Sequence, residues 1–198
     1  MSKDEALERA LWVVPQAPVI SEDRKAAQAR PFRISVILTG GTISKTYDPH
    51  TAVMQNREPV AKRLIQSLRI NDARIRLREL LNKDSRDLTE EDLETIVETV
   101  RLSVRRNDAV AIVHGTDTMT RTADLLVERL PDLRVPVVLT GAMTPAVIEG
   151  SDGRQNLTEA LFACRLLTPG VYIVCHGRAL RCPGVEKDYE TLTFRYGP

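Results

Sequence analysis

The residues of this chain best suited to chemistry lie in short polar stretches: Thr39-Gly40-Gly41-Thr42, "LNKDSRD" (81–87), His114-Gly115-Thr116-Asp117-Thr118, Thr140-Gly141-Ala142-Met143 and His176-Gly177-Arg178. Glycine tolerates backbone angles and close approaches that other residues resist. A threonine hydroxyl beside Gly40-Gly41 can therefore be aimed at something small. The turn does not match GxGxxG, and no GxxxxGK[ST] occurs, so it is not read as a phosphate cradle. Each stretch also has a plainer reading. Thr39–Thr42 can be a tight turn between a strand and a helix. His114 and His176 read as structural hydrogen-bonding residues rather than metal ligands. Thr116 and Asp117 can cap the helix that follows them, and Ser85 can be a turn residue.

What makes these stretches more than turns is what precedes them. Apolar runs read as strands over 33–38, 74–80, 109–113, 135–139 and 171–175. The run over 74–80 alternates like a half-exposed strand, whereas 109–113 and 135–139 are wholly apolar. Helical patterns fall between them: 59–69 with Pro59 near its start, 87–104, 120–130 and 155–167. The clearest is 87–104, where Thr89 is an N-cap with Asp92 three residues on. Leu93, Ile96, Val97, Val100 and Val104 then share one face. Apolar strands alternating with helices predict an α/β fold: a three-layer (αβα), doubly wound, mainly parallel sheet in a single domain. In a parallel sheet the C-terminal strand ends share one edge, where open α/β proteins bind ligands. The polar stretches would converge there.

Composition narrows the class. The 198 residues suit one domain with a real core, and a net charge of +1 marks neither a nucleic-acid nor an anionic-membrane binder. No apolar run approaches the roughly 18 residues that span a bilayer. The N-terminal "MSKDEALERALWVVPQAP" is neither a secretory signal nor an Arg-rich transit peptide. Residues 1–30 read as an extension, helical or disordered, with a short amphipathic helix over 3–14 stopped by Pro15, and residues 31–198 as the domain. Cys164, Cys175 and Cys182 are odd in number and lack a CxxC pair. They read as free thiols in a reducing cytoplasm and as small apolar packing residues. Nothing in the sequence signals a metal or organic cofactor.

Taken together, "TGGTI" (39–43), "DSRDLT" (84–89) and "HGTDTM" (114–119) resemble the asparaginase/glutaminase family of threonine amidohydrolases. "LTGAM" (139–143) and "SDGRQNLTEA" (151–160) are similar to the N-terminal domain of that family, and the resemblance runs over about residues 33 to 195. It implies that Thr42 is the primary nucleophile, that Thr116 and Asp117 are its second catalytic threonine and aspartate, and that Lys187 is the partner lysine. It implies that Ser85 helps hold a substrate α-carboxylate, and that Tyr47 sits on a mobile loop after the glycine turn. Asp117 is left with two roles, orienting Lys187 or pairing a substrate ammonium. Gly41 and Gly115 would bring backbone N–H groups to the substrate, natural donors for an oxyanion. Both threonines are expected at exposed loop positions.

The chemistry agrees with the residue types. A threonine hydroxyl is a poor nucleophile until a neighbour takes its proton, and a lysine acts as a base only when part of it is neutral. The implied activity is hydrolysis of the side-chain amide of L-asparagine, without a cofactor, on a small-molecule amide, in a homo-oligomer (dimer or tetramer). Two other readings remain: a glutaminase or the ammonia-producing part of a tRNA amidotransferase, and a non-catalytic domain that binds a small metabolite. The sequence departs from the family in two places. The usual member carries a smaller C-terminal domain that supplies an acidic residue, whereas this chain resembles the short, single-domain members. Arg86 follows Ser85 where many secreted members carry glutamine, which touches the carboxylate side of the pocket.

Overall fold

The computed structural model describes residues 30–56, 60–70 and 73–197. The expected helix over 3–14, and the N-terminal extension apart from Arg30, lie outside the described residues, as does Pro59.

Strand β1 (Phe32–Gly40) opens the described fold and is buried from Ile34 onward. A 3-10 turn (Thr42–Ser44) leads into a hairpin of β2 (Lys45–Asp48) and β3 (Val53–Asn56). Helix α1 (Val60–Ser67), strand β4 (Ala73–Lys83), a second 3-10 turn (Ser85–Asp87) and helix α2 (Glu90–Val104) follow. Then come β5 (Ala109–Val113), α3 (Met119–Arg129), β6 (Pro136–Thr140), α4 (Gly153–Leu166) and β7 (Gly170–Cys175). The chain continues through β8 (Arg178–Arg181), β9 (Val185–Asp188) and β10 (Thr193–Tyr196).

The central sheet has the order β4-β1-β5-β6-β7-β8. It is parallel except for the antiparallel edge strand β8. Side chains alternate across a strand, and β1 shows why two helical layers are needed. Ile37 joins Ile112, Leu93, Ile96 and Leu126 on the side of α2 and α3. Ile34, Val36 and Leu38 join Ile65 and Leu157 on the side of α1 and α4. Strand β5 is buried along its whole length because both its faces are covered. Strand β4 lies at the edge, and its apolar Ile75 and Leu77 point inward while Arg74, Arg76 and Arg78 stay in water. It runs on to Lys83, so part of the stretch read as a loop is strand.

The strands and helices expected between residues 33 and 175 are present, and the fold is the three-layer α/β arrangement. The two hairpins and β8 are additional. Hairpin β9–β10 is antiparallel and pairs Lys187 with Phe194. Val185 and Phe194 are buried in the cluster beneath α2 and α3, which anchors the hairpin to the core. No helix among the described residues is long and apolar enough to cross a membrane.

Helix α2 begins as its sequence indicates. Asp92 N–H donates to Thr89 Oγ1 at 3.2 Å, and Thr89 N–H donates to Asp92 Oδ2 at 2.9 Å. Lys83 Nζ donates to the same carboxylate at 2.7 Å, tying the end of β4 to the helix start. The Lys83 ammonium and the Thr89 N–H hold the Asp92 carboxyl below the usual carboxylate range. Thr89→Ala removes the hydroxyl half of the capping box. It should lower stability by about 1 kcal/mol, read as a lower urea midpoint at an unchanged denaturant slope.

Candidate active site

The site is built by backbone segments that approach more closely than side chains allow. Gly41 has φ +80°, in the left-handed region, and its N–H donates to the Lys83 carbonyl at 2.8 Å. A Cβ at Gly41 would lie 2.4 Å from Gly115 Cα, and one at Gly115 would lie 2.5 Å from Ser85 Oγ. The loops after β1, β4 and β5 are thus stacked on one another at the C-terminal edge of the sheet. The glycines permit close approach as well as a turn.

The two threonines of the first loop differ in role. Thr39 is buried, and its hydroxyl donates to the Val113 carbonyl at 3.0 Å, so it staples β1 to β5. Thr42 is partly buried and opens the 3-10 turn whose Ile43 and Ser44 are buried. Tyr47 lies on β2, opposite Met54, and is 60% exposed. The segment expected to be a mobile loop is therefore a regular hairpin. Lys45 binds Asp84 at 2.6 Å, and Asn56 Nδ2 donates to the Gly41 and Lys83 carbonyls, both at 3.2 Å. These bonds tie the hairpin to the glycine turn.

Thr116, Asp117 and Lys187 are brought together from segments about 70 residues apart. Lys187 Nζ donates to Thr116 Oγ1 at 2.8 Å and to Asp117 Oδ1 at 2.6 Å. The Lys187 side chain is 9% exposed. Thr116 is only 4% exposed, which corrects the expectation of an exposed loop position: Lys187 reaches across the hydroxyl. Neither Thr116 nor Asp117 caps α3. Its N-cap is Thr118, which makes no side-chain capping bond and instead donates its hydroxyl to the Ser85 carbonyl at 2.9 Å. Ser85 is buried against Gly115.

Arg86 extends the cluster. Its Nε lies 3.2 Å from Asp84 Oδ1 and 3.4 Å from Asp117 Oδ2. The Arg86 guanidinium, with Lys45 and the Arg86 N–H, holds the Asp84 carboxyl far below the usual range, against the opposing effect of burial. The ion pairs made by Lys45 and Arg86 are not evident from sequence. A charged residue beside Asp84-Ser85 is visible there, but its partner on another loop is not.

Both histidines are hydrogen-bonding residues, as expected. His114 is fully buried; its Nδ1 donates to the Gly115 carbonyl at 2.8 Å, which leaves Nε2 to accept from Thr122 Oγ1 at 3.0 Å. His176 bridges Asp152 Oδ2 at 2.8 Å and Thr193 Oγ1 at 3.1 Å. The cysteines are free and buried; burial pushes each thiol up to about 12, with no sign of an activated thiolate.

Comparison with known proteins adds to this geometry. Residues 33–193 match the family described as Asparaginase, N-terminal, and the chain belongs to that family. It is 35% identical over 144 residues to an L-asparaginase of Thermococcus kodakarensis, covering 72% of this chain and 43% of the relative. The structure of the thermostable L-asparaginase from Thermococcus kodakarensis superposes with a TM-score of 0.76 at 30% identity, over 83% of this chain and 51% of that one. A subunit of the glutamyl-tRNA(Gln) amidotransferase of Thermoplasma acidophilum is 30% identical over 160 residues, 81% of this chain and 39% of the relative. The chain spans about half or less of the length of these relatives.

His114 gives the site an acid limit. Burial pushes its imidazole down from 6.5 to about 4, so the folded state keeps it neutral where the unfolded chain protonates it. Stability should therefore fall as pH drops from about 6.5 to about 4, by up to about 3 kcal/mol over that window. The lowered carboxylates Asp84, Asp92 and Asp152 have a more acidic window: their contribution is in place above their ordinary 3.8 and is lost only below it. Urea titrations of the native protein and of His114→Gln at pH 7 and pH 4.5 separate the effects. The stability gap between the two proteins should narrow at the lower pH.

Proposed function

We propose that this asparaginase-family chain hydrolyses the side-chain amide of L-asparagine to L-aspartate and ammonia through a threonine nucleophile. The observation that carries the reading is the nearly buried Lys187 ammonium, which bonds the buried Thr116 hydroxyl and the partly exposed Asp117 carboxylate. A domain that only binds a metabolite has no need of a lysine so placed.

In this reading the Thr42 hydroxyl attacks the amide carbon, and its proton passes to a basic group. The Gly41 N–H is spent on the Lys83 carbonyl at 2.8 Å, so the oxyanion falls to other backbone N–H groups of these loops, around Thr42 and Gly115. Collapse breaks the C–N bond, ammonia leaves with a proton from the Thr116–Lys187 relay or from Tyr47, and an ester to Thr42 remains. Water then attacks the ester, releasing the carboxylic acid and returning the proton to Thr42. Asp117 orients Lys187 and is the acidic group available for a substrate α-ammonium. Ser85 and nearby backbone donors serve the α-carboxylate. A tRNA-amidotransferase-type amidase is the second reading, supported by the similarity to the Thermoplasma protein. The buried free thiols suit a reducing cytoplasm.

Thr42→Ala and Thr116→Ala should each lower kcat for ammonia release from L-asparagine by roughly 10²-fold or more. Thr116 is buried, so Thr116→Ser is the companion variant: it keeps the oxygen that Lys187 bonds and should retain most activity. Ammonia release unchanged in an alanine variant would remove that threonine from the mechanism. Binding of L-asparagine without any ammonia release in the native protein would favour the metabolite-binding reading.

The proposal includes a homo-oligomer. Tyr189, Leu192 and Tyr196 on and around the β9–β10 hairpin are each more than half exposed beside the candidate site, an apolar patch of the kind that association covers. Light scattering at micromolar concentration should give at least twice the chain mass; a monomer alone would reject this part.

A further inference from the structure

Asp117 has both of its oxygens engaged by cations of the chain itself. Lys187 Nζ is on Oδ1 at 2.6 Å, and Arg86 Nε is 3.4 Å from Oδ2. Arg86 is also held from behind. Asp84 accepts from its backbone N–H at 3.1 Å, from Nε at 3.2 Å and from Nη2 at 3.3 Å. Asp84 is itself fixed by Lys45 at 2.6 Å. The result is a continuous chain of charges, Lys45–Asp84–Arg86–Asp117–Lys187, with three cations against two carboxylates in direct contact. Asp87 adds attraction for Arg86 at longer range. The Arg86 side chain is 67% exposed, so water and a ligand can reach it, and it is carried on the same 3-10 turn as Ser85.

An α-ammonium arriving at Asp117 must therefore share Oδ2 with Arg86. A carboxylate arriving at Ser85 meets a planar, permanently charged fork one residue away. We propose that Arg86 determines specificity at this site. It competes with a substrate ammonium for Asp117 and gives the substrate carboxylate a charged partner beside Ser85. Preference thereby shifts toward carboxylate-bearing amides that lack an adjacent ammonium. The inference rests on the amide-hydrolase reading above for its chemistry, but not for its binding test.

Succinamate is asparagine without the α-amino group. The ratio of kcat/KM for succinamate to that for L-asparagine should fall about fivefold in Arg86→Gln relative to the native protein, a modest factor because the guanidinium is screened by water. The same substitution should lower the affinity ratio of succinate to L-aspartate in calorimetry, in the same direction. Where the native protein releases ammonia, the kinetic ratio decides: an unchanged or increased ratio overturns the role of Arg86. Where it releases none from either amide, the hydrolysis reading fails and the binding ratio decides. A falling succinate-to-aspartate ratio then supports Arg86 alone. An unchanged or rising ratio, or no binding of either dicarboxylate, overturns it.

Discussion

The rest of this site depends on a backbone contact. Gly41 meets Gly115 at a distance that leaves no room for a Cβ on Gly41, and Ser85 on the other side leaves none on Gly115. A side chain on Gly41 would meet main-chain atoms, which cannot swing aside. The stack fixes how far the ends of β1, β4 and β5 stand apart, and so how the loops that carry Thr42, Ser85 and Thr116 are spaced. The hydrogen bond from Gly41 N–H to Lys83 O fastens the same stack from below. Parallel pairing brings those strand ends to one edge; the glycines let the loops that follow them pack in direct contact.

Charge organises what the backbone brings together. The ion pairs from Lys45 to Lys187 link the β2–β3 hairpin, the turn after β4, the loop after β5 and the β9–β10 hairpin. The exposed members of this chain are worth little in stability, since water screens them and long side chains lose freedom. Their effect is positional. Lys187 is the most sheltered side chain among them, and it lies where a proton must move in the proposed reaction. Asp84 remains ionised far into acid because Arg86 and Lys45 surround it, so the carboxylate that bonds both cations keeps its charge there.

Much of this is legible in the sequence, for identifiable reasons. Strands β5, β6 and β7 are buried on both faces, so their apolar runs stand out, and Thr89 with Asp92 announces the start of α2. Motif resemblance singles out Thr116, Asp117 and Lys187, and in the fold Lys187 bonds both of the others. The hairpins are not legible. "KTYD", "VMQN" and "VEKD" carry no sustained alternation, because these strands pair outside the main sheet and bury only single residues such as Asp48 and Val185. The burial of Thr116 escapes the sequence for a related cause: it depends on a lysine from a distant hairpin that local pattern cannot place. Arg86 looks like a change of side chain next to Ser85, and only the fold reveals its approach to Asp117.

His114 and His176 show how one local pattern serves two physical roles. Each follows a buried strand and precedes a glycine. His114 is sealed inside, stays neutral, and spends both ring nitrogens on the loop and helix α3 around Gly115. His176 sits at φ +52° and turns its ring outward to Asp152 and Thr193. Burial pushes the Asp152 carboxyl up, but N–H donors from Met143 and Thr144, with His176, outweigh it and hold it below the usual range. The carboxylate therefore only accepts, and His176 Nε2 carries the proton of that bond. Thr193 is the residue beside Phe194, which pairs with Lys187. The path Asp152–His176–Thr193 thus leads from the start of α4 to the hairpin that carries the lysine, while His114 secures the loop that carries the threonine. The two segments that meet in the lysine–threonine contact are thus each bonded by a histidine, at Gly115 and at Thr193.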